Sequence, residues 1–493
     1  MSDMSPPSLI AVEGAVEGEE ILEALGYQPT LRRSLSVIGT VALTVSDITP
    51  TASLLVIGPA VIATAGTGSL WAYLIGGVIA VFVALCMGEL GSMFPVAGGL
   101  YSIVTKVLGR PIGFLALLDY IGQAIFLPAS VVLGIGTYIT ALNPNINTNL
   151  AAGIVMLAVT GIAMLRISVN AVLTGVFLLI ELLVVLVMAI AGGMHIQQPL
   201  SILANPVLGD ATGALGPIGA GAILGAVAVA LFSVNGYDSA INFSEETKGS
   251  AAHVGQAVVT AALIGIVFEI VPFFFIVFGA RDLAAFTTST TPLTDVVRAN
   301  LGDTVVTIVT YGAILAIFNA ALAITLQFGR ITYASGRDRA WPGPISDALS
   351  RVNSRGAPWV ATATVGLLAT VLCFFSSLIL VVTFTAVLII VLYGMIAIST
   401  IVSRVRQAQL PRPFRMPFFP IPPVIALIGV VVAVTQQKLF DLVIVAGIFI
   451  VGAIYYVLFL RPNSDRYWNM SVDPNVELRR LEAEHAAHAP SDR

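Results

Sequence analysis

Apolar runs of roughly membrane-spanning length follow one another along this chain from residue 37 to residue 460, separated by short polar stretches. A helix needs about 20 mostly apolar residues to cross a bilayer. Applied as a window, that length gives segments 37–62, 70–94, 112–142, 150–165, 169–194, 218–243, 255–279, 303–328, 358–375, 378–402, 421–436 and 440–460. The pattern predicts an all-α integral membrane protein of about twelve transmembrane helices. Segment 112–142 is long enough to require a strong tilt. Two runs are broken in the middle and sit in corresponding places. The first is interrupted at Ser46-Asp47-Ile48-Thr49-Pro50-Thr51 and the second at Ser233-Val234-Asn235-Gly236-Tyr237-Asp238. Inside a bilayer, non-helical backbone is tolerated only where protein or a water-filled cavity satisfies it. A matched pair of interrupted helices points to a binding site near the bilayer midplane. Their position in the first and sixth spans predicts a five-plus-five inverted repeat with two extra spans after it.

Charge placement supports the even count. With the N-terminus inside, twenty Lys and Arg fall on the inner side, and only Arg281, Arg298 and Lys438 fall outside. That is the asymmetry of a protein with both termini in the cytoplasm. The chain then divides into a cytoplasmic arm (1–33), a ten-helix core (34–405, with repeats at about 37–194 and 218–402), two peripheral helices (406–460) and a cytoplasmic tail (461–493). The arm is acidic and shows no signal-peptide pattern. Within the tail, 476–484 reads as a short amphipathic helix, and the loop 281–302 is expected to hold a short helix. Composition agrees: 57% of the 493 residues are hydrophobic, 10% are charged, and mean hydropathy is +0.96. Cys86 and Cys373 lie inside apolar spans, and the four histidines show no ligand spacing. Neither a metal site nor a cofactor is expected. Nor does anything point to nucleic acid.

Three motifs resemble those of the amino acid–polyamine–organocation (APC) permeases. Gly88-Glu-Leu-Gly-Ser-Met-Phe-Pro-Val-Ala-Gly-Gly-Leu-Tyr101 is similar to the signature after their second span. Phe232-Ser-Val-Asn-Gly-Tyr-Asp-Ser, followed by Glu245-Glu-Thr-Lys, resembles their sixth span and its exit. Gly329-Arg-Ile-Thr-Tyr-Ala-Ser-Gly-Arg-Asp-Arg-Ala-Trp-Pro342 resembles the exit of their eighth. The first break departs from the family, because it has no glycine where relatives are glycine-rich. Arg339 stands where the eighth-span exit usually has glycine. Leu118-Asp119-Tyr120 with Pro128 looks closest to the putrescine-importer and amine-permease branches. The resemblance implies the inverted-repeat fold and transport of an amino acid or amine.

The candidate site follows from helix ends. A broken helix exposes N–H groups on its second half, which favour a carboxylate, and carbonyls on its first half, which favour an ammonium. Around the first break, Asp47, Ile48, Thr49 and Thr51 are substrate-binding candidates, with Ser53 a further hydroxyl. An acid in the membrane is costly and is a functional candidate by default. Asp47 is read as an ammonium partner or proton site, with capping of the second half-helix as the structural alternative. Phe232, Ser233, Val234, Asn235, Gly236 and Tyr237 form the second half of the site. By the resemblance, Phe232 matches an aromatic lid and Asp238 an acidic gating position, with core packing and helix capping as their respective alternatives. Asp119 and Gln123 share a helical face that, by the resemblance, looks into the site. Glu181, Glu269 and Asn319 are candidates for coupling, with a hydrogen bond to a neighbouring helix as the favoured alternative for the two glutamates. Glu89 and Arg330, with Arg337 and Asp338, are candidates for ion pairs of an inner gate.

These features predict a secondary active transporter of an amino acid, organic amine or polyamine in the cytoplasmic membrane. It is expected to work by alternating access with proton coupling. Its partners are then a small substrate, protons and the lipid bilayer. An exchanger is the close alternative, and a non-transporting nutrient sensor a more distant one. The chain shows neither the clustered acids and histidines nor the phosphate loop expected of a membrane enzyme.

Overall fold

The computed structural model describes residues 34–470 except 166, 211, 250, 355 and 469. The acidic arm and the 476–484 helix therefore lie outside the described residues. Helices dominate. The first span is α1 (Val37–Ile48), opened by Ser36, whose hydroxyl accepts the Gly39 N–H at 3.0 Å. It resumes as α2 (Pro50–Ala52), passes through a π-helical turn at Ser53–Ile57 and ends as α3 (Gly58–Ala65). Spans two to five are α4 (Ser69–Met93), α6 (Arg110–Leu142), α7 (Thr148–Ala163) and α8 (Ile167–Gly193), with the amphipathic α5 (Leu100–Leu108) lying before α6. Span six is α9 (Ala220–Ser233) and α10 (Ser239–Asn242). The loop before it carries an antiparallel hairpin, β1 (Val207–Gly209) with β2 (Leu215–Pro217). Next come α11 (Ala251–Gly279), the loop helices α12 (Leu283–Thr288) and α13 (Pro292–Leu301), and α14 (Asp303–Arg337). A short α15 (Gly343–Leu349) precedes α16 (Trp359–Phe375), α17 (Leu378–Arg406), α18 (Ile421–Thr435) and α19 (Leu439–Tyr455).

Among the described residues, seven apolar stretches are long enough to span a membrane and four apolar helices are shorter. The first stretch, Val37–Met93, holds two passages of chain separated at Gly66–Gly68. The expected twelve spans are therefore present. The loop 281–302 holds two helices rather than one, and the hairpin, α5 and α15 are additions. All are short, and none carries the long apolar run that marks a span.

Packing follows the order expected of a repeat. α4 lies on α11, α6 on α14 and α7 on α16. Exchanging each span for the one five later maps α1 on α11 to α9 on α4, α8 on α14 to α17 on α6, and α1 on α8 to α9 on α17. All six contacts occur. The helix α18 packs on α17 and α4, and α19 on α6, outside this core.

Sequence periodicity sets which face is inward. On α8, Leu179, Leu183, Leu186 and Ile190 are exposed, while Glu181, Val184, Val185 and Met188 are buried. Spacings of three and four separate a lipid face from a core face, and Glu181 is on the core face. Its carboxylate therefore needs partners inside the protein.

Candidate functional site

The first break is narrower than the six-residue interruption read from the sequence. Only Thr49 leaves the helical conformation, at φ 56° and ψ 63°. Pro50 restarts the helix at once, because its fixed φ and missing N–H suit a first helical position. The second break is wide: residues 234–238 lie outside any helix, and Gly236 adopts φ +117°. The two breaks touch. A Cβ placed on Gly236 would lie 2.7 Å from the Asp47 carbonyl carbon and 2.7 Å from the Ile48 nitrogen. Backbone meets backbone here, which only glycine permits.

Around this contact the polar side chains are buried and mostly bonded to one another. Thr51 N–H donates to Glu181 Oε1 at 3.1 Å, and the Thr51 hydroxyl donates to the Glu181 carbonyl at 2.7 Å. Asn319 Nδ2 lies 3.5 Å from Glu181 Oε2. Thus α8 and α14 hold the start of the second half-helix. The hydroxyls expected to serve a substrate are engaged internally. Besides Thr51, Ser53 donates to the Ile48 carbonyl at 2.9 Å, and Thr49 Oγ1 lies 3.4 Å from Ser53 Oγ. The cap of α2 is Glu181, not Asp47. Asp47 is buried beside Ser239 and Asp238 of the second break, and its Oδ1 has no hydrogen-bond partner.

At the second break, Ser233 Oγ donates to Glu269 Oε2 at 2.7 Å and lies 3.1 Å from the Tyr73 hydroxyl. Asn235 Oδ1 accepts from the Tyr393 hydroxyl at 2.7 Å. Asp238 precedes α10 but makes no side-chain cap. Its Oδ2 instead accepts from the Tyr120 hydroxyl and, at 2.9 Å, from Gln327 Nε2. Tyr120 also lies 3.2 Å from Asn242 Oδ1. Phe232, Val234 and Tyr237 are buried in the main apolar cluster.

The structure separates some residues that the sequence grouped. Asp119 accepts from Gln123 Nε2 at 2.9 Å, and neither bonds to a residue of either break. Tyr120 is the residue of the third span that reaches the site. Among the inner-gate candidates Arg337 lies 3.7 Å from Asp338, and Glu89 and Arg330 pair with residues outside that set. Glu89 binds Arg404 and Arg412, at 2.5 and 2.9 Å, and accepts the Met416 N–H at 2.9 Å, fastening the chain after α17. Arg330 is fully buried on Glu246 at 3.0 Å, while Arg337 binds Glu245 at 2.9 Å. The sequence reading missed Tyr73, Tyr120, Asn242, Gln327 and Tyr393. Gln327 carried a usable signal, a fully polar amide inside an apolar span. A tyrosine in a membrane helix carries little.

Two broken helices meeting at a buried polar spot, within a bundle of twelve spans built as an inverted repeat, are the architecture of secondary transporters. The comparison with known proteins is specific: the profile of the amino acid permease family matches residues 35–470, and the chain belongs to that family, within the APC superfamily. It is 22% identical over 471 residues to the branched-chain amino acid permease BcaP of Bacillus subtilis, covering 90% of this chain and 97% of that one. It is 22% identical to the methylthioribose transporter of the same organism, over 83% of this chain and 89% of that one. To its serine/threonine exchanger SteT the identity is 23%, over 73% and 81%.

Proposed function

We propose that this protein is a proton-coupled uptake permease for an amino acid or small organic amine in the cytoplasmic membrane, with both termini in the cytoplasm. It works by alternating access around the paired breaks. The observation that carries this reading is the backbone contact of Gly236 on Asp47–Ile48. It brings both sets of helix ends to one place, together with Asp47, Glu181, Asp238 and Glu269. Four buried acids and few cations there favour a positively charged group, either substrate ammonium or proton. Glu269, held by Ser233, and Asp47, with a free oxygen, are the proposed coupling groups. In this reading Glu89 and Arg330 brace the arginine-rich end, and the buried Arg330–Glu246 pair is the proposed inner-gate contact.

The test is uptake into proteoliposomes under an imposed pH gradient. Saturable uptake of an amine or amino acid that collapses with a protonophore, and falls at least tenfold in Asp47→Asn, supports the reading. The similarity to a serine/threonine exchanger keeps obligatory exchange as the second reading. Flux that ignores the protonophore but requires substrate preloaded inside would establish exchange instead.

A further inference from the structure

We infer that Glu181 fills, from within the protein, the seat a substrate carboxylate would take at the first break, so that the substrate is an amine that presents no carboxylate there. The inference rests on the transporter reading and deepens it by naming the substrate class.

A restarted helix offers the N–H groups of its first turn to an anion. Here that turn is closed. Pro50 has no N–H. Thr51 N–H donates to Glu181 Oε1 at 3.1 Å, and the Ala52 N–H interacts with the same carboxylate. Ser53 N–H donates back to the Thr49 carbonyl at 2.8 Å. None is left for a ligand. Glu181 is also not a loose side chain, because the Thr51 hydroxyl holds its backbone at 2.7 Å and Asn319 flanks its second oxygen.

The other side of the break consists of acceptors, packed beside Gly236 of the second break. The Ser46 carbonyl would be served by residue 50, which is proline. The Asp47 carbonyl would be served by Thr51, whose N–H points to Glu181 instead. Asp47 Oδ1 is buried without a partner beside them. Two carbonyls and a carboxylate oxygen, with the donor turn sealed, suit an ammonium. A zwitterion would bring its own carboxylate to a turn already holding one.

The experiment uses purified full-length protein and matched pairs that differ only by the carboxylate: leucine with isoamylamine, and ornithine with putrescine. Binding is read by the ligand-dependent rise in melting temperature. The wild type is expected to prefer the amine of at least one pair by tenfold or more. Glu181→Gln, which keeps an acceptor oxygen at the seat, should keep that preference. Glu181→Ala should reduce it tenfold or reverse it. Acetate alone, as a probe of the vacated seat, should stabilise Glu181→Ala and leave the wild type unchanged. If Glu181→Ala does not fold, Glu181→Ser, which also removes the carboxylate, replaces it. Equal binding of both members of each pair by the wild type overturns the inference while the transporter reading stands. Acetate acting equally on wild type and variant also overturns it. If no pair member binds or is transported, the transporter reading fails, and the acetate comparison still decides whether the seat is filled.

Discussion

Replacing Gly236 with alanine attacks the backbone contact between the breaks of the two interrupted helices. The added Cβ would lie 2.7 Å from two backbone atoms of Asp47 and Ile48 and 2.8 Å from the Asp47 carbonyl oxygen. Backbone cannot rotate away as a side chain can, so the two breaks must separate. The backbone adds a second cost, since φ +117° is a conformation that an L-residue adopts at about 1–3 kcal/mol. Forcing a methyl group into packed structure costs roughly another 1–3 kcal/mol. The sum is on the order of 2–6 kcal/mol, a large share of the usual margin of stability. Gly225, in α9 of the same span, is the control, because a Cβ there meets nothing within 4 Å. Alanine at that helical position should be neutral or stabilising by up to about 1 kcal/mol. The assay is thermal unfolding of both variants in one detergent, followed by reconstituted uptake. Gly236→Ala should melt several degrees below wild type and lose transport, and Gly225→Ala should match wild type in both. A Gly236→Ala protein with unchanged melting temperature would refute the contact itself.

Two further outcomes follow from buried charges. Arg330→Ala leaves Glu246 buried without its cation, which should cost about 3–5 kcal/mol. The double variant Arg330→Met with Glu246→Gln should recover much of that loss, read as monodisperse yield and melting temperature on size-exclusion chromatography. Asp238→Asn keeps the shape but converts a purely accepting group into one that also donates, so it competes with Tyr120 and Gln327 for acceptors. It should lower uptake at least tenfold at near-normal expression, and Gln327→Leu combined with it should change little further if the two act as one unit.

The fold was legible because bilayer thickness imposes a length rule, and hydrophobic runs report it directly. Twelve runs became twelve spans, and the pairing of α1 with α9 followed from where polar residues broke them. Details set by tertiary contact were not legible. Nothing in the local sequence says that the N–H of Thr51 is received by Glu181, 130 positions away, or that Asp238 turns from its own helix to Tyr120. Capping was the structural alternative for Asp47 at α2 and for Asp238 at α10, and the structure gives the first cap to Glu181 and leaves the second without a side-chain bond. Proline explains the narrow first break and was visible at position 50. The extent of its effect depends on how soon the helix can restart.

The hydrogen bonds also sort the spans by which must move together. Ser34 and Leu35 donate to the Glu246 carbonyl at 3.0 and 2.9 Å, Lys248 donates back to Leu35 at 2.9 Å, and the Thr40 and Thr247 hydroxyls lie 2.7 Å apart. A short ladder thus ties the start of the first span to the exit of the sixth. The Gly236 contact ties the same two spans again at their breaks. Two attachments about one half-helix apart make spans one and six a single body. Links from that body to the third and eighth spans are of a different kind. They are side-chain contacts, Tyr120 and Gln327 on Asp238 and Arg330 on Glu246. Under alternating access, a backbone ladder would move intact, while side-chain pairs can exchange partners without unfolding a helix. Cross-linking Leu35→Cys to Thr247→Cys should therefore leave uptake unchanged. Loss of uptake on cross-linking would show that the two spans move apart during the cycle.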